Sequence, residues 1–278
     1  MSILLHGAPV AERLTLDLSR RSAALRHRGV IPTLAILRVG SSPGDLAYEK
    51  SAAARCARCG IEVRRLFWDS AAPLADAIRA VNADPSIHGC LLLRPLADKA
   101  AEEAAGRLLS PDKDVDGMTP GSLAGLLTGR GGFAPCTAQA CLELLDYYGV
   151  DPAGRRAVVI GRSLVVGQPA ALLLQRRNAT VTVCHTGTRH IPALSRDADI
   201  VIAAAGRPGL ITVDCLRPGQ TVLDVGVHPG PDGTLCGDVA AEAAGLDVAL
   251  TPVPGGVGSV TSAVLCKHTI QAAENTRL

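Results

Sequence analysis

Apolar residues fall in short runs closed by glycine or proline, and the stretches between them carry alanine and leucine at helical spacing. Residues 31–39, 61–67 and 88–93 are predicted strands, the first an apolar run closed by Gly40 and the third one ended by Arg94-Pro95. Between the first two, Ser42-Pro43-Gly44-Asp45 carries a helix-start signature. Ser42 is the N-cap, Pro43 takes the first helical position and Asp45 is the capping-box acid. This helix is predicted to reach about Cys59, with Gly60 as its stop. Residues 71–81 form the next helix. Strands separated by helices imply parallel pairing through right-handed crossovers, so the chain to about residue 110 reads as an α/β domain.

The pattern resumes after 131–137, a plausible crossing point, with a helix over 138–148. A β-branched run at 158–160 then ends at Gly161, and Gly167, Pro169 and an alanine/leucine run over 170–174 follow. This reads as the strand, tight turn and helix start of a nucleotide-binding βαβ unit. It departs from G-x-G-x-x-G, because Ser163 replaces the second glycine and the last is displaced by one residue. Gly161 lets the backbone turn, Gly167 permits close helix–sheet packing, and the helix N-terminus with Arg162 and Ser163 offers donors to a phosphate. Further strands are predicted at 180–184, 200–204, 221–225 and near 248–250, with a closing helix over 261–275. After the second of these strands, Cys184-His185-Thr186-Gly187-Thr188-Arg189 contains no acid to accept from a ribose 2′-hydroxyl. Hydroxyls and cations there suit a 2′-phosphate, so NADP is favoured over NAD.

Composition narrows the function classes. The 278 residues are 47% hydrophobic and 19% charged, enough for a sizeable core, and the net charge of +2 with 2% aromatics argues against nucleic-acid binding. Nine cysteines, an odd number scattered among apolar neighbours, suit a reducing cytosol better than a disulfide framework. Cys56 and Cys59 form a C-x-x-C without a second pair, which reads as two helix-face residues rather than a zinc half-site, and no metal is expected. With no leader and no long apolar run, the expectation is a cytoplasmic protein without membrane contact. Two segments stay open. Residues 110–117 hold three carboxylates and miss the EF-hand spacing, so spacing alone favours a solvated loop over a carboxylate aimed into a site. The glycine-proline turn at 251–258 either shapes a site or is a tight connector.

Several segments together resemble one family, methylenetetrahydrofolate dehydrogenase/cyclohydrolase, an enzyme of folate one-carbon metabolism. They are Lys113-Asp114-Val115-Asp116-Gly117, Pro135-Cys136-Thr137, Gly161-Arg162-Ser163 with Val166-Gly167 and Pro169, and Ala179-Thr180-Val181-Thr182 with Cys184-His185. Asp224-Val225-Gly226-Val227, Gly237-Asp238-Val239 and Thr251-Pro252-Val253-Pro254-Gly255-Gly256-Val257-Gly258 complete the set. The resemblance implies two α/β domains around a cleft, the second a Rossmann-like dinucleotide-binding domain. Residues 1–137 would be the folate-binding catalytic domain and 138–260 the NADP-binding one, with a helix over 261–278 packing back on the first. It also implies a homodimer. NADP would meet Gly161, Arg162, Ser163, Gly167, His185, Thr186 and Val227. The resemblance makes Tyr48 and Asp116 the catalytic residues, and the tetrahydrofolate substrate would meet Tyr48, Asp116, Pro254, Gly255 and Gly256.

Two positions depart from the family pattern. The family places a lysine four residues after the tyrosine, where this chain has Ala52, and a glutamine in a Gln-Leu-Pro-Leu turn, where it has Leu93-Arg94-Pro95-Leu96. Lys50 is no substitute, since two residues on a helix is about 200° of rotation. Ser259, His228 and His268 also depart from the pattern. Hydride transfer from methylenetetrahydrofolate chiefly needs close alignment, whereas hydrolysis of the methenyl cation needs a placed acid–base group. The expected function is therefore NADP-dependent oxidation of 5,10-methylenetetrahydrofolate to 5,10-methenyltetrahydrofolate, with cyclohydrolase activity (to 10-formyltetrahydrofolate) weak or lost. The alternatives are a fully bifunctional enzyme using other residues, a non-catalytic dinucleotide- or folate-binding paralogue, and a dehydrogenase of another substrate.

Overall fold

A computed structural model describes residues 3–230 and 233–276, which form two compact α/β units. One comprises residues 12–136 with 262–276, the other residues 3–11 with 137–261.

The chain opens with β1 (Ile3–Leu4) and α1 (Gly7–His27), then runs β2 (Thr33–Val39), α2 (Pro43–Arg58), β3 (Glu62–Trp68), α3 (Leu74–Ala83) and β4 (Gly89–Leu92). Strands β2–β4 form a parallel three-stranded sheet in the order β3-β2-β4. Its centre is buried on both faces, as the uninterrupted apolar run of β2 requires. Helix α2 starts as its sequence dictates: the Ser42 hydroxyl accepts from the Asp45 amide at 3.1 Å, Pro43 follows, and Gly60 takes φ +73° just past the end. Glu49 then ties the helix to the sheet, accepting from Arg38 Nε at 2.8 Å and lying 3.1 Å from Arg65 Nε. Helices α4 (Lys99–Leu108), α5 (Pro120–Thr128) and α6 (Cys136–Tyr147) follow.

The acidic segment before α5 is not the solvated loop that its spacing suggested. Asp114 is fully buried, and its carboxylate accepts from the Met118 and Thr119 amides at 3.0 and 2.7 Å. Cys90 donates its amide to the Lys113 carbonyl, which extends the sheet edge, and Lys113 Nζ donates to the Val81 and Asp84 carbonyls at the end of α3. Burial wins because the turn's amides need an acceptor that no strand offers.

The second unit contains β5 (Arg156–Ile160), α7 (Gly167–Arg176), β6 (Thr180–Cys184), α8 (Ile191–Arg196), β7 (Ile200–Ala203) and β8 (Thr221–Asp224). A short hairpin of β9 (His228–Pro229) and β10 (Leu235–Cys236) follows, then β11 (Ala249–Leu250) and α9 (Gly258–Asn275). Its six-stranded sheet has the order β1-β11-β8-β7-β5-β6, with every pairing parallel. Here the compact units divide the chain differently from the expected 1–137 and 138–260. Residues 3–11 belong to this unit and not to the other, because β1 pairs with β11 through Ile3 N to Val248 O and Leu5 N to Leu250 O, both 2.8 Å. Two residues pairing across the chain's length leave no local sequence pattern. The closing helix starts at Gly258, earlier than expected, and its residues from Ser262 on belong to the first unit. The last two residues of the range expected for it, 277 and 278, lie outside the described residues.

Asp114→Ala leaves two buried amides without an acceptor and should lower unfolding stability by about 2–3 kcal/mol in denaturant titration. A loss below about 0.5 kcal/mol would contradict this assignment.

Candidate functional site

In the six-stranded sheet, β5 leads to β6 on one side and the chain then crosses to β7 on the other. Ligands in open parallel sheets bind beyond the strand ends at such a reversal. Gly161 sits there with φ +127°, and a Cβ on it would collide with the Ala204 carbonyl at the end of β7. A Cβ on Gly167 would in turn collide with the Gly161 carbonyl. Both glycines are thus required by backbone packing alone. The turn between them is stitched by Ser163, whose Oγ accepts from Val166 N at 3.1 Å and Gly167 N at 3.5 Å, and by Gln168, whose Nε2 donates to the Arg162 carbonyl at 3.2 Å. Arg162 and Ser163 are exposed over the start of α7.

After β6, His185 Nδ1 accepts from the Gly187 amide at 3.1 Å, so the neutral ring carries its proton on Nε2. The His185 amide donates to Thr188 Oγ1, while Thr186 and Arg189 are exposed. Val227, beyond β8, is 57% exposed. Two buried carboxylates missed as structural anchors hold this rim. Asp238 accepts from the Ala205, Gly206 and Arg207 amides and lies 2.8 Å from His228 Nε2. Asp224 accepts from the Gly226, Asp238 and Val239 amides, and burial raises its pKa to about 6. Their motifs were visible in the sequence, but nothing local marks an aspartate as an amide acceptor for a distant loop.

Tyr48 and Asp116 come together in the other unit. Tyr48 is 37% exposed as a residue; desolvation of its hydroxyl first, and then the charge of Asp116, raise its pKa, so the phenol stays protonated and able to donate. Asp116 has 24% of its side chain exposed. Desolvation raises its pKa to about 6; Arg94 opposes the shift and Asp114 adds to it. The Cys136 thiol acts on this carboxylate from nearby and donates to the Val115 carbonyl at 3.3 Å. One turn along α2 from Tyr48, Ala52 has no exposed surface, and Lys50 is exposed. Leu93, directly after β4, is also buried. His268 on α9 is buried against Phe133 with ring centroids 4.9 Å apart; its Nδ1 lies 2.9 Å from the Val115 carbonyl and must donate to it. Pro254, Gly255 and Gly256 are not in this unit. They belong to the unit with the larger sheet, where the Gly255 carbonyl accepts from the Gly7 amide and Gly255 takes φ +104°.

Comparison with known proteins settles the family. The profile of the tetrahydrofolate dehydrogenase/cyclohydrolase catalytic domain matches residues 5–116, and that of the same family's NAD(P)-binding domain matches residues 135–277. The chain belongs to this family. The bifunctional protein FolD of Carboxydothermus hydrogenoformans is 44% identical over 281 residues, covering 99% of this chain and 98% of that one. The crystal structure of the bifunctional FolD dehydrogenase/cyclohydrolase from Campylobacter jejuni superposes with a TM-score of 0.92 at 36% identity, covering 99% of each chain. The Trypanosoma brucei enzyme, solved with NADP cofactor and an inhibitor, gives 0.89 at 32% identity over 98% of this chain and 97% of that one.

Within the family fold, the described residues contain no cluster of three metal-ligating side chains and no helix long and apolar enough to cross a membrane. All nine cysteines are free thiols, and Cys56 lies 3.8 Å from Cys266 of α9, as expected of a helix-face residue. Arg94 is the residue beside Asp116 that sequence reasoning passed over. Its Nη2 lies 3.5 Å from Asp116 Oδ2.

A carboxyl whose pKa is raised on folding stabilises the fold below its unfolded value, and that contribution is lost as pH rises through the folded one. For Asp116 the window runs from about pH 4 to about pH 6. Asp116→Asn should therefore gain about 1–2 kcal/mol relative to the parent protein between pH 4 and pH 7, read from urea midpoints. A pH-independent difference would show that Asp116 titrates normally.

Proposed function

We propose that this chain is an NADP-dependent 5,10-methylenetetrahydrofolate dehydrogenase whose cyclohydrolase activity is weak or lost. The observation that carries the second half is the pair of buried apolar side chains, Ala52 and Leu93, at the positions where the family pattern has lysine and glutamine. Tyr48 and Asp116 would bind the folate, with Pro254, Gly255 and Gly256 contributing to substrate binding.

The residues at the ends of β5 and β6 suit a dinucleotide with a 2′-phosphate. The start of α7 faces an exposed arginine and hydroxyl, and the six residues after Cys184 include histidines, threonines and an arginine but no acid. Gly161, Arg162, Ser163 and Gly167 would receive the pyrophosphate, with His185 and Thr186 nearer the 2′-phosphate and Val227 against the nicotinamide half. When bound, NADP supplies the hydride acceptor. The chain's own work is to bind and align, because the methenyl cation formed on the substrate is stabilised by its own nitrogen lone pairs and no protein proton donor is required. Hydrolysis of that cation needs a water activated by a positioned base, typically worth about 10²–10⁴-fold. Neither methyl nor isobutyl side chains move protons. Homodimeric assembly belongs to this reading on the family resemblance alone, and a cytoplasmic location on the cysteine usage.

One observation favours the fully bifunctional alternative, which matches the activity named for the relatives. A carboxyl with a pKa of about 6 is poised to exchange protons near neutrality, and Asp116 is one. Restoring the family residues separates the two. Ala52→Lys with Leu93→Gln should raise enzymatic decay of methenyltetrahydrofolate by about 10²-fold while NADPH formation changes much less. No gain in decay would refute the roles given to these two positions.

A further inference from the structure

The guanidinium beside Asp116 is unusual in its partners. Arg94 has 21% of its side chain exposed, and among the described residues its Nε is buried without a hydrogen-bond partner. Its contact with Asp116, Nη2 to Oδ2 at 3.5 Å, is longer than a charge-assisted bond between them would be if the two were satisfied by each other. An orphaned donor on a cation is costly, and a partner absent from the chain itself is the simplest reason for it to persist. Flanking groups do not supply one. Leu93 and Leu96 are apolar and buried, and the nearby acid Glu102 accepts from the Leu96 amide and Lys99. Asp116 is faced by Tyr48 from α2, Cys136 from α6, Asp114 from its own loop and Arg94 from the end of β4. His268 of α9 donates to the neighbouring Val115 carbonyl instead.

Arg94 and Asp116 thus form a donor and an acceptor side by side on one short arc. We infer that Arg94 is a specificity-determining residue that, with Asp116, reads a ring edge on which an N–H and a C=O lie adjacent, the lactam edge of a 4-oxopteridine. The carboxylate accepts from ring or exocyclic N–H groups, and the guanidinium donates to the neighbouring carbonyl oxygen. This rests on the folate reading of the site above and adds to it the group that Arg94 recognises. A 4-amino ring offers a donor where the guanidinium needs an acceptor, so it leaves Arg94 unpaired and opposes N–H to N–H.

Folic acid and its 4-amino analogue, aminopterin, distinguish the outcomes in calorimetric titrations of the full chain. The parent protein should bind folic acid at least about tenfold more tightly than the 4-amino compound, since a site built to hydrogen-bond one group rejects its mismatch. Arg94→Leu should bring the two affinities within about threefold of each other, mainly by weakening folic acid. Arg94→Lys, which keeps the charge and loses Nε, should retain only part of the preference. An unchanged ratio in Arg94→Leu, with the thermal unfolding midpoint preserved, would overturn the inference and leave the folate reading intact. Failure of the parent protein to bind either pteridine would overturn the folate reading and this inference with it.

Discussion

Parallel strands end in backbone amides that no neighbouring strand can pair, and buried aspartates answer that demand in both units. Asp114 takes the amides of Met118 and Thr119, Asp224 those of Gly226, Asp238 and Val239, and Asp238 those of Ala205, Gly206 and Arg207. A buried carboxylate is expensive unless it accepts several bonds, and a buried amide is expensive unless it donates one. Each cost offsets the other. The result is a set of loops at the strand ends whose backbone is set independently of any ligand, which is where an open sheet places its chemistry.

Two aspartates in one short loop show how environment divides roles. Asp114 spends its oxygens on amides and makes the turn. Asp116, two residues on, keeps part of its surface and has a thiol, a phenol and a guanidinium around it. The same logic extends to α2. Its first turns are fixed by the Ser42 cap and by Glu49 between two arginines, so Tyr48 and position 52 are presented by a rigid element. What stands at position 52 then decides whether a proton can be moved there.

The sequence was most readable where one local force dominates. Strand Thr180–Cys184 and the Ser42-Pro43 helix start follow directly from their patterns, and the βαβ opening at Gly161 survives its unusual serine because Gly161 and Gly167 answer to backbone collisions. Helix α1 is hard to read from the sequence because Thr15 and Ser22 lie on its buried face and break the apolar stripe. Helix α5 carries Gly121 and Gly125, poor helix formers; a Cβ on Gly125 would collide with the Gly131 carbonyl, so the helix needs glycine for a contact made by the turn that follows it. Strand β1 and the burial of Asp114 depend on partners far along the chain. The cofactor-side motif and the Tyr48/Asp116 pair were legible through family resemblance, whereas the significance of Arg94 emerges only once its Nε is seen to be buried without a partner.

A family site without its lysine and glutamine is proposed to keep hydride transfer while hydrolysis becomes weak or is lost. A single progress curve on the unaltered protein tests it, following NADPH and methenyltetrahydrofolate together after addition of NADP to methylenetetrahydrofolate. Methenyltetrahydrofolate should accumulate in step with NADPH and then decay at the enzyme-free rate. Steady NADPH formation with enzyme-dependent decay of methenyltetrahydrofolate to 10-formyltetrahydrofolate would contradict it.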